Sequence, residues 1–307
     1  MSKFACCIIG AGAVGNALAV LSSHNRETYL LVKPEHKKLY SEDLPEISGA
    51  IDKHASPDLR IITREDLSAL PDRVDFWICT RAYDVQNIPE YLSLRDLNND
   101  RFVLASNGLG LFMDLSVDLG SQIPIIRALF SFGVKKTSPT CSELSGSLIS
   151  TIAARIQDEG FLNETLDFLC DLGFKTSKEQ NIAIAEWRKV ITNIIVNSLC
   201  TIANSNNGVI FKDKKIKIKA AEMLAEIKEV ANRDGFNFSN LSEDVFFNSI
   251  TPHASNINST LAAIRNKKKT ETDFFIGRFL KIANAYGIHT PVTSSVFEEL
   301  KLIENLS

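Results

Sequence analysis

The sequence predicts an α/β fold: a doubly wound, mostly parallel sheet over residues 1–179, followed by an all-helical domain over residues 180–307. Three observations carry that expectation. Short apolar runs, FACCII, TYLLVK, FWICT, RFVLAS and IPIIRALF, recur through the first half between polar or helical stretches. Past residue 180 the pattern lengthens into AIAEWRKVITNIIVNSLCTIANS, KKIKIKAAEMLAEIKEVANRDG and TETDFFIGRFLKIANAYG, the last two stopping at glycine as helices commonly do. Between the first apolar run and the first helical stretch stands GAGAVG.

The apolar runs are too short for helices and too continuous for half-buried strands, so they read as strands covered on both faces. SLISTIAARI extends the sheet, and NETLDFLCDLG supplies a covering helix. No internal repeat or low-complexity tract interrupts the two-part pattern.

Composition narrows the function. The 307 residues are 45% apolar and 23% charged, the balance of a globular chain. A net charge of -3 argues against a dedicated nucleic-acid binder. KDKKIKIK and RNKKKTE are short and lack interleaved aromatics, so they read as solvated helix faces. The six cysteines have no CxxC spacing and fall mostly in apolar runs, where a thiol acts as a small hydrophobe; this suggests a cytoplasmic protein without a metal centre. The opening MSKFACCIIGAGAVGNALAVLSS could pass for a leader peptide, but Gly10, Gly12 and Gly15 interrupt it where a secretory or membrane helix would prefer leucine. No membrane span is expected.

FACCII, GAGAVG and the helical AVGNALAVLSSH together form the strand–G-x-G-x-x-G–helix arrangement of a Rossmann-like dinucleotide site. One glycine makes the turn, one admits a pyrophosphate to the backbone, and one lets helix and strand approach. Gly10, Ala11, Gly12, Ala13, Val14 and Gly15 are therefore candidate cofactor contacts. About twenty residues on, where an NAD-specific fold places an acidic residue, stands Lys33, with Lys37 and Lys38 following. Positive charge there favours NADPH, while Glu35 is the alternative ribose ligand.

KVITNIIVNSLCTI places Lys189, Asn193 and Asn197 four residues apart in an otherwise apolar stretch. Three consecutive apolar residues, Ile194, Ile195 and Val196, break strand alternation, so the polar groups form one stripe of a buried helix. An unpartnered buried carboxamide costs about 1–3 kcal/mol and an ammonium more, so the stripe must face partners, water or a ligand. A satisfied network between helices and the wall of a ligand cleft both meet that demand. Glu271 is the natural charge partner of Lys189, and Asn256 and Ser259 precede it. Of five histidines only His253 lies near these segments, as a rival acid.

With these residues in place, the chain resembles the ketopantoate reductase family along nearly its whole length. The resemblance rests on IIGAGAVGNAL, ICTRAYDV, SNGLG, WRKVITNIIVN followed by NNG, NINSTLAAIRNKKKTETDFFIG and ANAYGIHTPV. It implies NADPH-dependent reduction of 2-dehydropantoate to pantoate, in pantothenate and coenzyme A biosynthesis. It further implies that Lys189 is the proton donor, and that Asn193, Asn197, Asn207, Asn256 and Ser259 hold the 2-oxo acid. Glu271 would serve both the lysine and the cofactor, Asn107 would lie between cofactor and substrate, and Arg81 and Lys33 would flank the 2′-phosphate. Ser106, Thr260 and Ala263 replace a glutamine, a methionine and an aspartate common in the family, and residues 136–150 do not match its hairpin. A same-fold reductase of another 2-oxo acid or an imine, and a non-catalytic dinucleotide-binding protein, are the alternatives. Apolar helical faces could pack within the chain or form a homodimer.

Overall fold

The computed structural model describes residues 4–306. Strands lie at Ala5–Ile9 (β1), Thr28–Leu31 (β2), Glu46–Gly49 (β3), Lys53–His54 (β4), Arg60–Ile62 (β5), Val74–Ile78 (β6), Arg101–Leu104 (β7), Ile125–Phe130 (β8), Gly133–Lys136 (β9), Cys141–Ser145 (β10), Ile149–Ala154 (β11) and Lys175–Lys178 (β12). One sheet has the order β12-β11-β8-β7-β6-β1-β2-β5, parallel throughout except where β11 meets β8. From β5 to β8 its strands run third, second, first, fourth, fifth, sixth in chain order. This is the doubly wound arrangement of dinucleotide-binding folds, with its order reversing between β1 and β6.

Every residue of β1, β2, β6, β7 and β8 is buried, which is why these strands are mostly apolar. The thiols of Cys6 and Cys7 lie in that core, and burial pushes Cys6 up to about 12, so it stays a protonated small hydrophobe. Helices Glu159–Asp171 and Leu111–Leu119 pack on the sheet.

A second sheet, in the order β4-β3-β10-β9, is absent from the sequence reading. Helix Ala13–Ser22 packs on β1 and β2 and also on β3, β9 and β10. Enclosed in this way, it is buried at every position from Gly15 to Ser22, which explains its nearly uniform apolar sequence. Its one large polar residue, Asn16, is fully buried and satisfied: Nδ2 donates to the carbonyls of Pro139 and Thr140, and Oδ1 accepts from Tyr40.

The chain divides into two compact units. The first holds the described residues up to Asn107 together with Leu111–Ala185, and the second holds Gly108–Gly110 and the residues from Glu186 onward. Relative to a division at 179/180, the first unit reaches six residues further because Ile182 and Ala185 pack against Leu129 and Ala153. Gly108–Gly110 sit in the second unit because Leu109 donates to the Phe274 carbonyl, Gly110 to the Glu186 carboxylate, and Arg278 to the Leu109 carbonyl.

The second unit is helical around a core that includes Trp187, Ile191, Ile194, Ile227 and Phe279. Helix Lys214–Arg233 begins at Asp213, whose carboxylate accepts from the amides of Lys215 and Ile216, and stops before Gly235 at φ +93°. Glu226 accepts from the Val292 and Thr293 amides, so a carboxylate supports the start of helix Pro291–Leu306. Among the described residues no helix is long and apolar enough to cross a membrane.

Candidate active site

In the first unit the carboxyl ends of three adjacent strands carry the expected cofactor residues. Gly10–Gly15 follow β1, Arg81 follows β6 and Asn107 follows β7; the strand order reverses there, where open α/β sheets place their ligands. Gly10 has φ +102°, and a Cβ on it would stand 3.0 Å from the Cys79 carbonyl carbon and the Thr80 nitrogen. A Cβ on Gly15 would meet the Gly10 carbonyl oxygen at 1.9 Å, so only glycine lets the helix start this close to β1. Gly12 is exposed, with nothing within 4 Å of such an atom. Gly12 also caps helix Ala13–Ser22 without a side-chain bond, leaving the first-turn amides of Ala13, Val14 and Gly15 for an anion. These features fit a dinucleotide.

The basic side of the site is smaller than the sequence suggests. Lys37 is bonded to Asp66 at 2.7 Å, and Lys38 lies 3.8 Å from Glu42. Lys33 is exposed at the cap of helix Pro34–Glu42 and Arg81 is exposed after β6, the strands β2 and β6 lying on either side of β1. Ser106 is buried and donates to the carbonyls of Thr80 and Ile78, tying the ends of β6 and β7 together.

In the second unit the stripe of Lys189, Asn193 and Asn197 departs from a plain α-helix. Helix Ile182–Thr192 ends three residues after Lys189 and passes into a π-helical turn, Asn193–Asn197, before α-helix resumes at Ser198–Ile202. A four-residue step overshoots a full α-helical turn of about 3.6 residues by about 40°. In the wider i→i+5 turn the same step falls short of one. The two drifts oppose each other, so the three polar side chains stay closer to one line than a uniform helix would keep them.

A second π-turn, Asp273–Gly277, follows Glu271 and packs on the first, and helix Ser259–Arg265 packs on the first as well. The segments carrying Lys189, Asn193, Asn197, Ser259 and Glu271 are thereby gathered in one unit. Glu271 is 4% exposed and Asn197 8%, whereas Lys189 and Asn193 are half-buried and Ser259 is exposed. Asn207 is tied to the same group, with its amide donating to the Asn256 carbonyl at 2.9 Å and Nδ2 to the His253 carbonyl at 3.2 Å. Its Oδ1 is buried without a partner. His253, considered as an acid, contributes this backbone carbonyl.

Asn258 was not singled out in the sequence, although an asparagine directly before an apolar helical stretch is a capping signal. Its Oδ1 accepts from the Leu261 amide and from Thr201, capping helix Ser259–Arg265, while its buried Nδ2 has no partner. Two adjoining asparagine-bearing segments thus each bury one unspent polar atom, an acceptor on Asn207 and a donor on Asn258. Such atoms cost about 1–3 kcal/mol each unless a ligand or water meets them. Glu186 and Arg278, which hold Gly108–Gly110 immediately after Asn107, were also missed, because nothing in the sequence pairs residues so far apart.

The glycines can be separated by substitution. Gly15→Ala is expected to lower the unfolding free energy by about 1–3 kcal/mol in urea titrations, since its methyl meets backbone that cannot turn aside. Gly12→Ala points into open space and should change stability by less than about 1 kcal/mol. It should nonetheless weaken dinucleotide binding about tenfold or more, read by calorimetric titration.

Residues 181–304 match the family model described as ketopantoate reductase PanE/ApbA C terminal. The chain is similar to the 2-dehydropantoate 2-reductase of Pyrococcus abyssi (strain GE5 / Orsay), with 26% identity over 288 residues covering 93% of each chain. Its fold is shared with a 2-dehydropantoate 2-reductase from Geobacter metallireducens GS-15, at TM-score 0.88 and 16% identity over 97% of this chain and 99% of that one. A D-mandelate dehydrogenase solved with NADH and anilino(oxo)acetate also shares it, at TM-score 0.87 and 20% identity over 99% of both chains. Residues 181–304 thus carry the C-terminal ketopantoate reductase match, and along both units the chain is similar to named 2-dehydropantoate 2-reductases.

Proposed function

We propose that the protein is a cytoplasmic, NADPH-dependent 2-dehydropantoate 2-reductase that reduces ketopantoate to pantoate on the route to pantothenate and coenzyme A. The observation that most supports this reading is the gathering of Lys189, Asn193, Asn197, Ser259 and Glu271 on or directly before two packed π-turns and one capped helix, in the unit that also holds the unspent Oδ1 of Asn207. One ammonium, one carboxylate and several neutral donors suit a small, hydroxylated 2-oxo acid.

Bound NADPH supplies the hydride that reduces the C2 carbonyl. The chain's own groups do the remaining work. Lys189 Nζ hydrogen-bonds the C2 oxygen and passes it a proton as its basicity rises, because lysine is an ammonium at neutral pH. Glu271 holds that ammonium when the substrate is absent. Asn193, Asn197, Asn256 and Ser259 orient the carboxylate with neutral donors, so that binding energy goes into position. Asn207 Oδ1 accepts from the substrate's terminal hydroxyl, and Asn107 lies between cofactor and substrate. Lys33 and Arg81 receive the 2′-phosphate.

A second reading, reduction of another branched or aromatic 2-oxo acid or of an imine, is favoured by Thr260 and Ala263. Both are buried on helix Ser259–Arg265, next to Ser259, where the resemblance would place methionine and aspartate. Turnover of ketopantoate, pyruvate and phenylglyoxylate with NADPH separates the two: ketopantoate is expected to have the highest kcat/KM, and preference for phenylglyoxylate would move the proposal to this reading.

Lys189→Ala should lower kcat by about 10²–10⁴ while NADPH affinity changes by less than about threefold. An unaltered kcat would remove Lys189 from the chemistry. Arg81→Glu should weaken NADPH at least about tenfold more than NADH, because one contacted phosphate distinguishes them; equal losses would place that phosphate elsewhere. Asn207→Ala should erase most of the kcat/KM advantage of ketopantoate over 3,3-dimethyl-2-oxobutanoate, its analogue without the hydroxyl. The expected change in that ratio is about 10-fold to 100-fold, and general damage to the fold cancels between the two substrates.

A further inference from the structure

The β9–β10 hairpin, which does not match the family's pattern, is fastened to the glycine loop by a group the proposed chemistry leaves unused. Lys136, the last residue of β9, donates from Nζ to the Ala11 carbonyl at 2.8 Å and to the Tyr40 hydroxyl at 2.9 Å. The Tyr40 hydroxyl lies 2.5 Å from the Pro139 carbonyl and 3.1 Å from the Ala11 carbonyl. Asn16 Nδ2 completes the clamp on the carbonyls of Pro139 and Thr140. Hairpin, helix Ala13–Ser22 and glycine loop are therefore one hydrogen-bonded body.

The hydrogen-bond partners of this ammonium are all neutral. Glu143, on the hairpin, pairs with Lys135 at 3.0 Å, and Asp43, at the end of helix Pro34–Glu42, accepts from the Thr140 hydroxyl at 2.5 Å. Desolvation holds Lys136 below the ordinary lysine pKa, while the residue as a whole is exposed and so within reach of a ligand. An ammonium has three N–H donors, and two are used here. The Ala11 carbonyl that it grips is covalently joined to Gly12, whose Cβ direction is open.

We propose that Lys136 is a diphosphate-binding residue of the cofactor site: its remaining N–H meets the dinucleotide's pyrophosphate over Gly12, and the hairpin is a built-in wall of that site. The inference rests on the dinucleotide reading given above and adds to it a charge that serves NADPH and NADH alike, unlike Lys33 and Arg81.

The full chain and its Lys136→Met and Lys136→Arg variants would be titrated with NADPH and with NADH, following nicotinamide fluorescence at two salt concentrations, with melting curves of the ligand-free proteins alongside. Lys136→Met should raise the Kd of both dinucleotides by the same factor, about tenfold or more, and flatten the dependence of Kd on salt. Lys136→Arg should recover most of the affinity. Tight binding by Lys136→Met would overturn the proposal, as would a loss confined to NADPH, which would assign the ammonium to the ribose phosphate. A lower melting temperature with an unchanged salt dependence would reduce Lys136 to a strut for the hairpin. Failure of the unaltered protein to bind either dinucleotide would topple the proposed function itself, and this inference with it.

Discussion

Gly15 and the Gly10 carbonyl approach so closely that a methyl group on Gly15 would stand 1.9 Å from the oxygen, and the first unit is arranged around that contact. The contact sets how near helix Ala13–Ser22 starts to β1. The same helix is covered on its other side by the smaller sheet, so it must be apolar nearly all round. Its buried Asn16 then has to find partners in the hairpin turn, and finds them in two carbonyls and the Tyr40 hydroxyl. A backbone geometry usually discussed for what it offers a phosphate thus also determines where a second sheet can sit.

The second unit solves a different problem, that of lining up polar groups on a buried helix without burying them unsatisfied. In a uniform α-helix the stripe from Lys189 to Asn197 would wind away by about 80° over two four-residue steps. The π-turn counteracts that drift over its second half, and the second π-turn, after Glu271, packs against it. π-Turns interrupt regular hydrogen bonding and persist where function rewards the interruption. Here both lie beside proposed substrate residues, within a core that is otherwise apolar.

Much of this was legible in the sequence because simple periodicities or steric requirements fix it. The glycine spacing follows from close approach, the central strands from two-sided burial, and the long helices from their period and their glycine stops at Gly235 and Gly287. The smaller sheet was not legible. Lys53–His54 is only two residues long, and in Cys141–Ser145 burial alternates on a sequence of mostly small and polar residues, so no apolar run marks it. Nor were the π-turns, since no residue type specifies a widened turn. Contacts such as Glu186 with Gly110 depend on tertiary approach across many residues. Asn258 was the avoidable omission, for its position before the helix announced a cap.

A run of basic residues near a cofactor loop is weak evidence for a phosphate site until each charge is followed to its partner. Asp66 accepts from the Thr63 amide to complete a capping box and from Lys37 Nζ, and chiefly that lysine bond holds its carboxyl below the ordinary range. Freeing Lys37 for a ligand would cost Asp66 its charged partner. Lys38 faces Glu42 across one helical turn and is almost wholly exposed, where such pairs contribute little. Glu35, the residue that could have argued for NADH, stands in the first turn of helix Pro34–Glu42, where an acid stabilises the helix dipole without any ligand. The two positions the resemblance assigns to the phosphate, Lys33 after β2 and Arg81 after β6, follow the strands on either side of β1. Neighbouring strands lie about 4.8 Å apart, so these two cations start about 10 Å from each other with the glycine loop between them. In the proposed function, cofactor discrimination therefore rests on two flanking side chains and not on a basic patch.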